Sequence, residues 1–292
     1  MTQGVGRPGG DSKTYSARIL LDSVSPAGAR VTTMEWVYPR FIHSEVMTYR
    51  MFSRNTSSSR AIPIMKMIRQ VVGNPAYPVW WGKDQSGMQA RAELRGWRRW
   101  MAERLWYTAR WPAVAVALTA YYVGLHKQIA NRLLEPWMWI TMVVTASPVA
   151  FENCFRQRCH PDAQPEFRHL AILARSVYNE SIATERTIHP PLILADDDIR
   201  TVEDLKRVST ARCARTSYET HLGTRDIAAD IALYGRLHLE SEDDEVPHTS
   251  PAEHVLVAHA NPNNRSGNIF GWTQHREEVD PYFIHFEAEE VA

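Results

Sequence analysis

Between Thr48 and Pro63 the chain reads Thr-Tyr-Arg-Met-Phe-Ser-Arg-Asn-Thr-Ser-Ser-Ser-Arg-Ala-Ile-Pro. Arg50, Arg54 and Arg60 share this stretch with Ser53, Asn55, Thr56, Ser57, Ser58 and Ser59, and it has no long apolar face to bury. An arginine presents a rigid fork of donors suited to phosphate, and hydroxyls with backbone N–H groups complete an anion cradle. The chemistry expected is capture of a phosphorylated ligand. On composition alone the alternative is a solvated Ser-rich loop.

Two further clusters carry reactive residue types. Cys154, Cys159 and His160 stand close together, but Cys-x4-Cys-His without a second pair is not a zinc pattern, and a buried, inert cysteine is the simpler expectation. Trp97, Arg98, Arg99, Trp100, Arg104, Trp106 and Arg110 interleave aromatic and basic groups. That mixture is found on nucleic-acid and membrane-surface helices. The expectation here is instead an amphipathic core helix with a basic solvated face.

The chain of 292 residues, 44% apolar and 23% charged, can bury a substantial core in one or two domains. Its 33 basic and 33 acidic residues leave no net field to attract nucleic acid, whereas a mononucleotide needs only a local positive pocket. Three cysteines argue against a disulfide framework and fit a reducing compartment, so the expected location is cytoplasmic. The apolar run from Trp111 to Val123 is too short to span a membrane, which takes about 20 residues, and is expected to be a buried helix.

The elements that must position the chemistry follow from composition. Val31 to Phe41 has strand-like residues ended by Pro39, Ile42 to Met51 is expected to start a helix, and Gly73 to Gly87 is loop. A long helical tract from Met88 to about Leu134, broken at Pro112, comes next. The expected organisation is a flexible N-terminal segment (1–30) whose first dozen residues fray, a core (31–180), a connector (181–206), and a C-terminal part of the same fold (207–292) ending in a solvated acidic tail.

The order Arg50, Ser53, Asn55, Ser58, Arg60 gives R-x2-S-x-N-x2-S-x-R, which resembles the signature of the flavin-dependent thymidylate synthases, R-H-R-x2-S-x-N-E-x-S-x-R-Y. Thr48, Tyr49, Thr56 and Ala61 depart from it. Gln128 to Pro136 is similar to the family's Ala-Arg-x-x-Leu-Pro helix end, with Arg132 at the arginine. Asn153 to Ala171 resembles N-F-x-x-L-R-x-x-x-H-A-Q-x-E-I-R-x-L-A, with Asn153 and Arg158 at matching positions; Ser147 and Val149 depart from the flavin half of the pattern. Cys213 to Tyr218 resembles A-A-R-V-S-[FY], and His248 to His254 resembles H-x-[ST]-P-F-E-H. In the family these last two precede the arginine signature; here they follow it, as in a permutation or a degenerate duplicate. Gln274, His275 and Arg276 echo the residues missing before Arg50. Taken alone, His248 and His254 are ordinary loop and strand histidines. Cys159-His160 is also similar to the nucleophilic pair of the flavin-free thymidylate synthases, but nothing else of that family is visible.

The resemblance implies an α+β fold with a curved antiparallel sheet and long helices, in a homotetramer with shared active sites. It implies reductive methylation of dUMP to dTMP with FAD, NADPH and methylenetetrahydrofolate. Another pyrimidine deoxynucleotide monophosphate such as dCMP, a hydroxymethylated product, or a non-catalytic nucleotide binder are the alternatives. It places Ser57, Ser58, Ser59, Arg60, Arg132 and Arg158 at the nucleotide, with Arg158 catalytic through stabilising charge on the pyrimidine. It places Arg50, Asn55, Asn153, Ser217, His248, Ser250 and Glu253 at the flavin; the neutral charge balance and the short apolar run leave no nucleic-acid or membrane partner expected.

Overall fold

The computed structural model describes residues 13–223, 225–238, 248–280 and 283. β1 (Ser16–Val24) and β2 (Arg30–Pro39) form an antiparallel hairpin. Its turn closes through Ser25 N–H to Ala29 O at 2.8 Å, with Gly28 supplying the left-handed φ of 84° that a side chain would resist. α1 (His43–Val46), β3 (Ser53–Thr56), α2 (Ile64–Gly73), α3 (Gly96–Tyr122) and α4 (Lys127–Ala130) follow, then β4 (Trp139–Ala146), α5 (Pro148–Arg158) and α6 (Pro165–Glu180). The C-terminal third adds β5 (Thr184–Glu185), β6 (Ile188–His189), α7 (Val202–Ala214), α8 (Ile227–His238), β7 (Leu256–Ala258), β8 (Arg265–Ser266), β9 (Ile269–Phe270), β10 (Trp272–Gln274) and α9 (Arg276–Val279). The main sheet has the order β3-β4-β2-β1-β5 and is antiparallel except for the short β1–β5 pair; β10-β7-β6 form a second sheet. The expected mixed α and β architecture with an antiparallel-dominated sheet is what the chain adopts.

The period of two along the strands separates two unlike faces. Met34, Trp36, Tyr38, Ile140, Met142 and Val144 pack with Phe151 and Phe155 of α5 and Phe167, Leu170 and Tyr178 of α6 in the principal core. The opposite face presents Thr33, Glu35, Thr145, Ser53 and Asn55, in register as Thr33↔Thr145↔Ser53 and Glu35↔Val143↔Asn55. This hydroxyl-rich face is buried under the C-terminal third. Part of the polar signature segment, Ser53–Thr56, is therefore an edge strand with Ser53 and Asn55 turned inward.

Several expectations need correction. Residues 16–24, expected in a flexible segment, are a full strand of the main sheet, because Ile19 and Ala17 pack against the core while Arg18 pairs with Glu35. The first dozen residues lie outside the described residues, as does the acidic tail. The 181–206 connector carries β5 and β6, which tie the two sheets together, and the first residues of α7. The long helix is confined to Gly96–Tyr122, and it runs through Pro112 without a break. Ile42 to Met51 yields only the single turn α1 after a short 3-10 turn.

α3 is also not the buried helix expected from Trp111 to Val123. Val114, Ala117 and Ala120 are buried against Ile64, Met67, Ile68 and Val71 of α2, one apolar stripe at i, i+3, i+4, i+7. Its other side exposes Trp97, Trp100, Met101, Leu105, Trp111, Val116 and Tyr122. The solvated face is aromatic as well as basic, so the helix is apolar on both sides, and apolar content was misread as burial. Among the described residues no helix is long and apolar enough to cross a membrane.

Candidate functional site

The signature segment leaves β3 at Thr56 and is strapped down over the next six residues. Ser57 exchanges two hydrogen bonds with Thr141 of β4: its N–H donates to the carbonyl at 2.7 Å, and its Oγ accepts from the amide at 3.0 Å. The buried Asn131 amide donates to the carbonyls of Ser59 and Ile62 at 2.7 and 2.9 Å, and Lys127 Nζ donates to Ala61 O at 2.8 Å. Ser58 N–H donates to Ser217 O at 2.9 Å, which fastens the segment to the 3-10 turn Arg215–Tyr218 after α7. These bonds fix the backbone and leave the Ser58 and Arg60 side chains facing outward.

They face a cavity of about 900 Å³. Its walls carry Ser58 and Arg60, His126 at the N-cap of α4 and Gln128 within it, Arg215, Ser217 and Tyr218 from the 3-10 turn, Arg236 from α8, and His248. No Asp or Glu is among the described residues that line it. Arg60 and Arg236 are exposed and make no hydrogen bond or ion pair through their guanidinium groups among the described residues. Arg215 is held from behind, its Nε donating to Asp230 Oδ1 at 2.7 Å. Asp230 in turn accepts from Arg212 Nε at 2.9 Å, and Arg212 grips Asp197 with two bonds of 2.5 and 3.0 Å. Hydrogen bonds from Arg212 hold the Asp197 carboxyl below its usual range despite burial. The buried network fixes a guanidinium at the cavity wall without placing a carboxylate in it. Three cations, two imidazoles and the hydroxyls of Ser58, Ser217, Tyr218 and Thr220 on one concave surface are chemistry suited to an anion, with room for more than the anion.

Of the positions expected at a nucleotide and flavin, the cavity gathers Ser58, Arg60, Ser217 and His248. Ser57 and Ser59 are buried in the straps behind it. Arg132 is exposed beside Glu135, 3.8 Å away, and does not line the cavity. Arg158 lies on the other side of the sheet, its Nε donating to Tyr49 Oη at 2.8 Å and its guanidinium 4.9 Å from the Phe167 ring. Asn153 accepts from Arg156 and Gln157 on its own helix, and Arg50 is exposed. The displaced motifs do meet the signature within one chain. Asn55 donates to Cys213 O at 3.3 Å and accepts from Ser250 Oγ at 3.2 Å, while Gln274 Nε2 donates to Ser53 Oγ at 3.3 Å. His275 stacks on Tyr234, and Arg276 pairs with Glu253 at 2.5 Å.

The donor set does not fit FAD within a single chain. Asn55, Ser250 and Glu253 spend their polar atoms on internal partners, and Asn153 and Arg50 lie away from Ser217 and His248. The cysteines are equally unprepared for nucleophilic work: burial pushes the thiols of Cys154 and Cys159 up, the former to about 12. No group of metal-ligating side chains occurs among the described residues.

Two buried polar clusters on the inner sheet face were not expected from sequence. Glu35 accepts from His221 Nε2 at 2.5 Å and Arg18 Nε at 2.7 Å; burial opposes its ionisation, but these bonds prevail and bring it to about 2. A chain of bonds links Ser23 to His189 (2.7 Å), His189 to Thr33 (2.7 Å), Thr33 to Thr145 (2.6 Å), and Thr145 to His254 (2.8 Å). Burial lowers both histidines to about 3, and His254 Nε2 has no hydrogen-bond partner among the described residues. Arg215 lay within a recognised motif, so its presence at the site was readable. Arg236, a lone arginine on a helix, gave no signal.

No family model matches the sequence, and no curated protein matches it. Among solved structures, the UMP/dUMP methylase PolB from Streptomyces cacaoi, bound with 5-Br dUMP, superposes with a TM-score of 0.46 at 14% identity, over 58% of this chain and 90% of that one. A score below 0.5 at that identity does not establish a common fold.

Proposed function

We propose that the chain binds a pyrimidine nucleoside 5′-monophosphate in the cavity between the signature segment, the Arg215–Tyr218 turn and α8. The phosphate sits against Arg60, Arg215 and Arg236, with the Ser58 and Ser217 hydroxyls donating alongside, and the base reaches toward His126 and His248. The observation that carries this reading is the convergence of three segments far apart in sequence, around residues 58–60, 215–217 and 248, on one cavity whose described lining residues include three arginines and no Asp or Glu. The sequence resemblance extends the proposal to conversion of dUMP to dTMP by a methyltransferase of the flavin-dependent thymidylate synthase kind. Methylenetetrahydrofolate, NADPH and FAD are then its co-reactants, and a homotetramer supplies Arg158, Asn153 and Arg50 of one chain to the site of another. Within one chain the residues that line the cavity bind and orient the nucleotide only.

A second reading is a nucleotide-binding relative without flavin chemistry. It is favoured by the internal pairing of Asn55, Ser250 and Glu253. An absorbance spectrum of the purified protein, followed by calorimetric titration with dUMP and dCMP with and without FAD, separates the two. Flavin bands that shift on adding dUMP are expected for the methyltransferase, and a shift with dCMP alone redirects the substrate assignment. Nucleotide binding without any flavin uptake supports the second reading. No binding of either nucleotide overturns both.

A further inference from the structure

A second, smaller cavity of about 420 Å³ lies on the far side of the wall that carries Tyr218 and Thr220. α2 lines it with Lys66, Arg69 and Gln70 above an apolar floor of Ile62 and Met67; Lys13 and Glu219 close it. Lys66, Arg69, Gln70 and Gly73 recur at i, i+3, i+4 and i+7, so they form one stripe of the helix, opposite its buried one. Gly73 leaves open space where a side chain would project. Three cations thus face one carboxylate.

That carboxylate is held in an unusual way. Glu219 has φ 56° and ψ 41°, the left-handed conformation that non-glycine residues other than Asn and Asp rarely adopt. The twist sends its side chain into the small cavity while its neighbours, Tyr218 and Thr220, line the large one. There it accepts from Lys13 Nζ and lies 3.9 Å from Lys66 Nζ. Lys13 is anchored in turn, donating to Thr141 Oγ1 at 3.2 Å and giving its carbonyl to Asn74 Nδ2 at 2.7 Å. Arg69 makes no ion pair among the described residues. A strained acid between two lysines, beside an unpaired arginine in a concave site, marks a place already shaped for an oxyanion.

We propose that this cavity is a second anion site, taking inorganic phosphate or a phosphomonoester, with Glu219 as its built-in competitor. The incoming anion displaces the Glu219 carboxylate from Lys13 and Lys66 and adds Arg69. Release of Glu219 frees the turn to leave the left-handed conformation, which moves Tyr218 and Thr220 at the larger cavity. The coupling, unlike the binding, rests on the proposed nucleotide reading.

The experiment is calorimetric titration of the full chain with inorganic phosphate and with ribose 5-phosphate, in the Arg60→Ala/Arg215→Ala background that disables the larger cavity. Binding is expected to persist there. Adding Lys66→Ala and Arg69→Ala, both exposed positions, is expected to weaken it at least about tenfold. Glu219→Gln is expected to tighten it by roughly fivefold or more by removing the competing charge. Tighter binding of ribose 5-phosphate than of phosphate identifies a phosphomonoester ligand, and equal binding identifies free phosphate. No binding in the Arg60→Ala/Arg215→Ala background, or affinity unchanged by Glu219→Gln, overturns the proposal. Failure of dUMP to bind the unaltered chain while phosphate still binds this background overturns the nucleotide reading alone.

Discussion

Arg60 stands in the signature segment and Arg212 just before the Cys213–Tyr218 motif, yet the structure gives them opposite consequences when removed. Arg60 is exposed on the wall of the larger cavity, and its guanidinium has no partner among the described residues. Arg60→Ala therefore costs folding no more than about 0.5 kcal/mol. It removes charge-assisted bonds to phosphate worth about 1.5–3 kcal/mol, so the Kd for dUMP should rise roughly 10- to 150-fold. Arg212 is 1% exposed and satisfies Asp197 and Asp230, whose side chains are 3% and 0% exposed. Arg212→Ala strands two buried carboxylates and should cost about 3–5 kcal/mol of stability, less whatever Arg215 and Arg225 still supply. Calorimetry with dUMP and thermal unfolding on the same preparations separate the two effects. Unchanged dUMP affinity in Arg60→Ala would place the phosphate elsewhere and sink the cavity assignment. A large loss of stability in Arg60→Ala would show that the side chain is structural.

Thr145→Val keeps the shape of the side chain but removes the hydroxyl between Thr33 and His254, leaving His254 with no hydrogen-bond partner on either nitrogen among the described residues; about 1–3 kcal/mol should be lost in denaturant unfolding, and a neutral result would refute the buried chain. His189 and His254 have folded pKa values of about 3, below the ordinary 6.5, so the unfolded chain binds more protons and stability falls as pH drops from 6.5 toward 3. Together they should remove roughly 3 kcal/mol between pH 6.5 and 5, before the lowered carboxylates such as Glu35 begin to titrate. Denaturation midpoints that stay level across that interval would contradict it. Arg158→Ala should abolish turnover in an assembled methyltransferase while leaving flavin uptake largely intact, because Arg158 is expected at the pyrimidine and not at the flavin. A normal rate would remove Arg158 from the chemistry.

How much of this could be read from sequence depended on whether a residue's role was local. The crowding of Arg60, Ser57, Ser58 and Ser59 is a local pattern, and the structure sets Ser58 and Arg60 on a cavity wall while it buries Ser57 and Ser59 behind it. The meeting of Asn55 with Ser250 and of Ser58 with the Ser217 carbonyl was foreshadowed by the displaced motifs, although no spacing rule could give the distances. Arg132 and Arg158 matched motif positions, but a motif match says nothing about which side of a sheet receives the side chain. α3 was misjudged because a window of apolar residues does not say whether one face or two carry them. The strand Ser16–Val24 was lost to the Gly-rich residues before it. The inner-face chain from Ser23 to His254 spans four segments, and its members are ordinary alone.

The contrast between the two faces of the main sheet bears on how the chain is made. By the time residue 180 has been synthesised, four of the five strands, α5 and α6 are available, and the apolar face can be closed at once. The face still waiting for β6, α7 and the final segments shows hydroxyls, an amide and a carboxylate, groups that water solvates well, with Val31 and Val143 among them. A nascent chain paused there would present a wet sheet rather than a sticky one. The last hundred or so residues can thus arrive late with little risk of premature aggregation on the surface they will cover.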